Sequence, residues 1–245
     1  ELEHKNQDLQ DFAYIASHDL QEPLRKIQAF GERLKTKYGE ILAAEGQDYL
    51  QRMQSAAARM QTMINDLLAY SRVTTRAQAF KQVDLNRITT EVLADLETRI
   101  TETSGRVEVE PLPEIQAEPT QMRQLMQNLI GNALKFHQPD IPPLIRISSK
   151  TISNDRYSGN GRIQITVEDN GIGFDEKYLN QIFQPFHRLH SRSEYEGSGI
   201  GLSICRKIVE HHGGRITARS QPGHGSTFII ILPSRQIQKG SEDSL

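Results

Sequence analysis

The stretch between Gln47 and Arg72 leaves this chain little choice of local structure. Leu50, Met53, Ala57, Met60, Ile64, Leu67 and Ser71 recur at alternating steps of three and four, with mostly polar or charged residues between them. Only an α-helix brings such positions onto one line, and so narrow a line is a seam between helices rather than a broad core-facing surface. Upstream, Leu9, Phe12, Ala13, Ala16, Leu20, Leu24 and Ile27 repeat on helical spacing and predict a first long helix over residues 1–37. Gly39 and Gly46 punctuate the loop between the two. Two helices alone bury too little to hold together, so a pair of such hairpins forming a four-helix bundle, and hence a homodimer, is expected.

Pro23 falls inside the first helix. Proline has no N–H and crowds the preceding turn, so the carbonyl of Asp19 is expected to lose its helical partner and the helix to bend near His18. His18 lies beside the apolar line rather than in it, which leaves an imidazole partly wet with one ring nitrogen open to chemistry. A lone histidine in such a place is ordinarily a surface residue. It gains meaning only if the chain elsewhere carries a group to transfer to it.

Length and composition narrow the classes. At 245 residues the chain holds one large or two ordinary domains, and 36% apolar with 24% charged residues is the balance of a soluble globular protein. A net charge of -2 offers no electrostatic reason to expect nucleic acid. No apolar run is long enough to cross a bilayer and no signal-peptide pattern opens the chain, so membrane contact by this segment is not expected. The single cysteine, Cys205, cannot form an internal disulfide and suits a reducing cytoplasm. Because Glu1 falls within a helical repeat, a longer protein with a sensor domain upstream is expected.

The helical hairpin is expected over 1–73, followed by a linker at 74–82, a second domain at 83–234 and a polar tail at 235–245. Asp84-Leu85-Asn86 resembles a capped helix start. Val107 and Val109 alternate with charge as in a half-exposed strand, and further strands are predicted near 144–152, 162–168, 215–220 and 226–232. Helices are predicted over 120–136 and 199–212. Strands mixed with helices and ending in an antiparallel hairpin predict an α+β sandwich, with helices on one face of a mixed sheet.

Three pieces of the second domain point to a nucleotide. Asp169-Asn-Gly-Ile-Gly173 follows a strand, where a carboxylate can accept from an exocyclic amine while glycine backbone approaches a flat base. Glu196-Gly-Ser-Gly-Ile-Gly-Leu202 opens a helix, and glycine-rich backbone with helix N-terminal N–H groups cradles phosphate. It is neither a P-loop, since no Gly-Lys-Ser/Thr follows, nor a dinucleotide fingerprint, since no strand precedes it. Asn128, Asn132 and Lys135 share one face of the 120–136 helix, as amide oxygens and a lysine suited to magnesium and triphosphate. Each piece alone has an ordinary structural reading; the three together do not.

In order along the chain, these motifs resemble the catalytic core of a sensor histidine kinase. Residues 12–24 resemble its H box in the phytochrome-like form His-Asp-Leu-Gln-Glu-Pro-Leu, and Asn128 to Phe136 its N box. Asp169 to Gly173 resemble the G1 box, Phe183-Gln-Pro-Phe186 the F box, Gly197 to Gly201 the G2 box, and Gly225-Ser-Thr-Phe228 the final glycine motif. The resemblance implies a dimeric all-α phosphotransfer hairpin followed by a Bergerat-fold, GHKL-type ATP-binding domain.

It also implies roles. His18 would accept the γ-phosphate of ATP and pass it to an aspartate of a response regulator's receiver domain, with Asp19 orienting the ring. Asp169 would hold the adenine amino group, Asn132 would ligate Mg2+, and Lys135 would meet phosphate oxygens. Asn128 stands where related ATPases carry a water-activating glutamate; a neutral amide is no general base, which argues against a gyrase- or chaperone-like ATPase. Phe136, Gly171, Gly173, Gly197, Gly199, Gly201, Leu202 and Thr227 would complete the nucleotide site. Residues 171–198 read as a lid anchored by Phe183 and Phe186, with Arg188 the best placed of its cations, ahead of His187 and Arg192, to reach phosphate. Many members place Thr or Asn four residues after the histidine to position a water. Glu22 stands there instead, so weak phosphatase activity is expected. The competing expectation is an ATP-responsive dimeric scaffold that does not phosphorylate itself.

Overall fold

The computed structural model describes the backbone of residues 2–75, 79–152, 161–191, 194–195 and 197–235, and their side chains from residue 19 onward, those of 74 and 75 excepted. The side chain of His18, the lid residues Arg192 and Glu196, and the tail from 236 lie outside it.

Two antiparallel helices, α1 (Leu2–Tyr38) and α2 (Ala44–Thr75), form the expected hairpin. α1 runs through Pro23 unbroken. Gln21 Nε2 donates to Asn65 Oδ1 at 3.0 Å, and Gln54 Nε2 to Glu32 Oε2 at 3.2 Å, which fixes the hairpin register. Three residues back from Gln21 on one helix match three residues on from Asn65 on the other, so the His18 backbone stands level with Leu68.

The apolar seam divides in two. Leu24, Leu50, Ala57 and Leu68 are buried between the helices. Leu20, Ile27 and Leu34 on α1, and Met53, Met60 and Leu67 on α2, repeat at seven-residue steps and remain 36–55% exposed. Such heptad-spaced exposure is half of a coiled-coil interface.

The rest of the chain builds a two-layer α+β unit. Its strands and helices, in order, are β1 (Lys81–Asp84), α3 (Leu85–Asp95), α4 (Glu97–Glu102), β2 (Arg106–Val109) and β3 (Glu114–Ala117). Then come α5 (Pro119–Lys135), β4 (Leu144–Ile152), β5 (Arg162–Asp169), α6 (Gly201–His211), β6 (Arg215–Ser220) and β7 (Ser226–Pro233). A five-stranded sheet in the order β2-β4-β5-β7-β6 is parallel only at β2–β4, and β1–β3 forms a separate antiparallel pair. Ile163, Ile165 and Val167 of β5 and Phe228, Ile230 and Leu232 of β7 are buried, and share one core with Leu125, Leu129 and Ile130 of α5 and Ile204 and Ile208 of α6. The mixed sheet with helices on one face is as expected; the β1–β3 pair and α4 were not foreseen.

Local chemistry sets the helix starts. Asp84 caps α3 by accepting from the N–H groups of Asn86 and Arg87. Glu118 caps α5 through Thr120 and Gln121, with Pro119 at the first helical position, where its missing N–H costs nothing.

The linker is shorter than expected. α2 continues to Thr75, Lys81 and Gln82 already pair with Ala117 and Gln116, and residues 76–78 are not described. Val73, assigned from sequence to the hairpin, is only 2% exposed within the core of the second unit. Its carbonyl accepts from Gln121 Nε2 at 2.8 Å.

Candidate functional site

The carboxyl end of β5 presents Asp169 on the same face as the buried Ile163, Ile165 and Val167, because side chains alternate along a strand. Its Oδ1 accepts from Gly171 N at 2.8 Å and Ser226 N at 3.1 Å. Oδ2 has no hydrogen-bond partner among the described residues. Burial pushes its pKa up to about 6, against the pull of the two backbone N–H bonds. A desolvated carboxylate with one oxygen spent and one unspent is an acceptor awaiting a donor.

Backbone closes tightly around it. A Cβ on Gly171 would stand 2.3 Å from the Phe136 carbonyl oxygen, and one on Gly173 (φ +61°) 2.1 Å from that of Gln221. Phe136 O in turn accepts from Ile172 N at 2.8 Å, and Gln138 Nε2 donates to the carbonyls of Asn170, Gly171 and Gly223. Asn170, by contrast, is a staple. It accepts from Leu144 N and donates to Pro142 O.

The C-terminal half of α5 touches both glycine loops. Asn128, Asn132 and Lys135 lie half-buried on the predicted face, beside the fully buried Leu129 and Leu134. Lys135 Nζ lies 2.8 Å from where a Gly197 Cβ would be, and 4.3 Å from the centre of the Phe136 ring. Asn128 Nδ2 donates to Gly201 O at 3.2 Å, which ties α5 to the first turn of α6. Asn132 makes no side-chain hydrogen bond among the described residues. The three sequence pieces, separated by up to about seventy residues, thus meet at one place.

The lid departs from expectation at two residues. Phe183 is buried, but Phe186 is 51% exposed and adopts φ +64°, so it does not anchor the lid apolarly. The Arg188 guanidinium donates to the carbonyls of Ser191, Tyr195 and Gly197, so it organises the lid's own backbone rather than reaching for phosphate. Gly199 needs its φ of +79° and its missing side chain, since a Cβ would meet Arg188 Cγ at 2.9 Å. Leu202 packs half-buried against the core. His187 Nδ1 is buried without a hydrogen-bond partner among the described residues, and the Phe136 ring is covered from the lid by Tyr195 at 5.0 Å.

The final glycine motif departs at a third. Ser226 pairs with Asp169 in the β5–β7 register and shares the face of Phe228 and Ile230, so Thr227 points to the opposite face of the sheet. The residue that meets Asp169 is Ser226, and its hydroxyl contacts that of Ser220 at 3.0 Å. The alternation of β7 could have shown this, but Thr227, Ile229 and Ile231 make the other face apolar too. On the hairpin, Asp19 and Glu22 are set on the surface of α1 next to the His18 position, and Glu22 pairs with Lys26 at 2.7 Å.

Comparisons with known proteins agree with this geometry. Residues 117–236 match the model of the histidine kinase-, DNA gyrase B- and HSP90-like ATPases, and residues 8–76 that of the His Kinase A phospho-acceptor domain. The chain is 41% identical over 233 residues to cyanobacterial phytochrome A of Nostoc sp., and 40% identical over 232 residues to the phytochrome-like protein Cph1 of Synechocystis sp.. These alignments take in 95% of the chain but only 29% and 30% of those relatives' lengths. The crystal structure of histidine kinase ThkA in complex with response regulator protein TrrA superposes with a TM-score of 0.61 at 25% identity, over 95% of this chain and 65% of that one. Full-length ShkA with AMPPNP shares the fold, with a TM-score of 0.69 at 24% identity over 93% of this chain and 46% of that one. A phospho-acceptor hairpin joined to an ATPase domain of this type places the chain in the family of sensor histidine kinases, as their catalytic core.

Proposed function

We propose that this chain is an autophosphorylating protein-histidine kinase, which moves the γ-phosphate of ATP to His18 and from there to an aspartate of a response-regulator receiver domain. The convergence of α5 with both glycine loops around Asp169 carries the reading. Asp169 Oδ2 accepts from the adenine amino group, while the glycines at 171 and 173 let backbone approach the base. Lys135 and the N–H groups at the start of α6 take the phosphates. The orphaned His187 Nδ1 and the unengaged amide of Asn132 fit a site built for a polar guest.

Magnesium fits as a bound partner of the nucleotide rather than of the protein alone. Among the described residues no three His, Cys, Asp or Glu side chains gather as a metal cage. One amide oxygen from Asn132 with phosphate oxygens is the mixed set this hard cation prefers, and the ion would neutralise charge on the phosphates.

In the transfer, the unprotonated ring nitrogen of neutral His18 forms the N–P bond as the bond from the γ-phosphorus to the ADP oxygen breaks, and the proton on the ring's other nitrogen is held by an acceptor, assigned to Asp19. Asn128 is bonded to α6 and has no basicity with which to activate water, so γ-phosphate is saved for the imidazole. The exposed heptad stripes of α1 and α2 support a homodimer. The phytochrome relatives support a sensor domain preceding residues like these in the full-length protein, and the ThkA–TrrA complex supports a receiver-domain partner. No helix among the described residues is long and apolar enough to cross a membrane. ATP use and a lone buried cysteine support a cytoplasmic site of action.

Incubation with γ-labelled ATP tests the reading. Acid-labile, alkali-stable label should appear on wild type and vanish in His18→Gln. Nucleotide bound by wild type without any label would instead favour the dimeric scaffold. Glu22 carries a separate expectation of slow response-regulator dephosphorylation, which a large further loss in Glu22→Ala would contradict.

A further inference from the structure

The second unit is docked against one stripe of α2. Asp66, Tyr70 and Val73 follow each other at steps of four and three, and each meets a different part of it. Val73 O accepts from Gln121 of α5. Tyr70 O accepts from Lys207 Nζ of α6 at 2.9 Å, with the ammonium 4.3 Å from the centre of the Tyr70 ring. Asp66 Oδ2 accepts from the hydroxyl of Ser198, inside the glycine loop itself.

Ser198 lies between Gly197 (φ +137°) and Gly199 (φ +79°), and its Oγ also accepts from Ile200 N at 3.2 Å. The start of α6, an eleven-residue helix, therefore reads a carboxylate through one hydroxyl. The positive end of a helix dipole and a glycine-framed loop are the features that receive phosphate oxygens. Lys135, the cation of the same site, stands against Gly197. Asp66 thus offers this end of the site the charge that a nucleotide would bring.

The carboxylate is half-buried, and burial raises its pKa while the Ser198 bond lowers it. The docking shields it from part of its water, which returns on release. Position along the bundle is already close to what transfer needs. Asp66 and Leu68 are two residues apart, about 3 Å of helix rise, and Leu68 is level with His18. What separates the loop from the phospho-acceptor is passage around α2, not travel along the hairpin.

We propose that Asp66 is a built-in competitor for the nucleotide's phosphates, parking the glycine loop on the flank of α2 until ATP displaces it. The proposal rests on residues 197–201 being the phosphate cradle. Anionic phosphate entering the loop and the Asp66 carboxylate repel each other, so occupancy by one disfavours the other. By linkage the effect is reciprocal: docking weakens nucleotide binding by the factor with which nucleotide weakens docking.

The test uses the whole chain. Titration with a fluorescent non-hydrolysable ATP analogue should show Asp66→Asn and Asp66→Ala binding about fivefold tighter or more, the lower end of typical couplings between sites. Autophosphorylation should gain as much at low ATP and converge with wild type at saturation, so that the change falls in KM for ATP. Unchanged or weaker analogue binding by the folded variants overturns the brake. Wild type that binds no analogue overturns the nucleotide site itself, which keeps the two failures apart. A second measurement does not depend on the carboxylate variants folding well. In the double variant Asp66→Cys with Ser198→Cys, a disulfide should form readily without nucleotide and more slowly with the analogue at saturation. Trapping at the same rate in both conditions also overturns the proposal.

Discussion

Gly225 faces Asp169 so closely that a single methyl group on it would stand 1.9 Å from the Asp169 carbonyl oxygen. Its φ of +84° is a second reason no other residue fits, since an L side chain there is strained. Gly225→Ala must push β7 away from β5 at the register pair that brings Ser226 N to Asp169. We expect at least a tenfold loss of ATP-analogue affinity, and a lower melting temperature from strain of about 1–3 kcal/mol plus the clash. Gly223→Ala, where nothing lies within 4 Å of the added methyl and φ is +78°, should cost only the strain. Calorimetry and analogue titration of the two variants check the difference.

Nucleotide affinity should fall in mild acid. Only the ionised Asp169 presents Oδ2 purely as an acceptor, and its pKa stands at about 6. Below that value each unit of pH should weaken analogue binding about tenfold, while above it affinity should be flat. Binding rather than phosphorylation is the readout, because it isolates the nucleotide step from the chemistry at His18. A pH-independent affinity from 7 to 5 would remove Asp169 from base recognition.

His212 makes the opposite demand on stability. It is wholly buried at the end of α6, accepts from Glu118 N at its Nε2, and holds Ile208 O with Nδ1. Burial leads the lowering of its pKa, to about 4. A base whose folded pKa is depressed takes up fewer protons folded than unfolded, so stability falls as pH drops from 6.5 to 4, by up to about 3 kcal/mol. Asp169, with its pKa raised by burial, shifts stability the other way between pH 6 and 4 and masks part of the loss. Thermal denaturation of Asp169→Asn should therefore show a steeper acid loss than wild type. In Asp169→Asn with His212→Gln the slope should flatten, at the cost of a lower melting temperature at pH 7.

Dimerisation should fail when the exposed stripe is charged. Ile27→Asp together with Met60→Asp puts two carboxylates into each half of the proposed seam but leaves the buried Leu24, Leu50 and Leu68 contacts within the hairpin intact. Sedimentation should change from dimer to monomer at micromolar concentration. A wild-type chain that sediments as a monomer there would count against the bundle.

Much of this was legible in the chain because it is local. Three- and four-residue steps mark α1 and α2, the Asp84 cap starts α3, and alternation marks β5. The nucleotide motifs could be read because glycines with φ above zero and a carboxylate at a strand end are demanded by backbone geometry where they stand. The errors fell where loop geometry or strand pairing, rather than residue type, decides what a side chain meets. Arg188 carries the charge that phosphate wants, but three carbonyls of its own lid lie nearer. Phe186 has the hydrophobicity to anchor and yet is turned outward by a left-handed backbone. Thr227 and Ser226 are adjacent and both hydroxylic, and only the pairing of β7 with β5 decides which one faces Asp169.

The sequence by itself therefore determined the hairpin, the mixed sheet with helices on one face, and the parts list of an ATP site, since each follows from periodicity or from conformations few residues can adopt. The tertiary structure decided which side chains those parts use. It buried Val73 in the unit beyond the linker and brought Asp66 of α2 to Ser198 of the glycine loop. No pattern announces such contacts, because they depend on where a whole folded unit comes to rest against a helix 48 to 132 residues away.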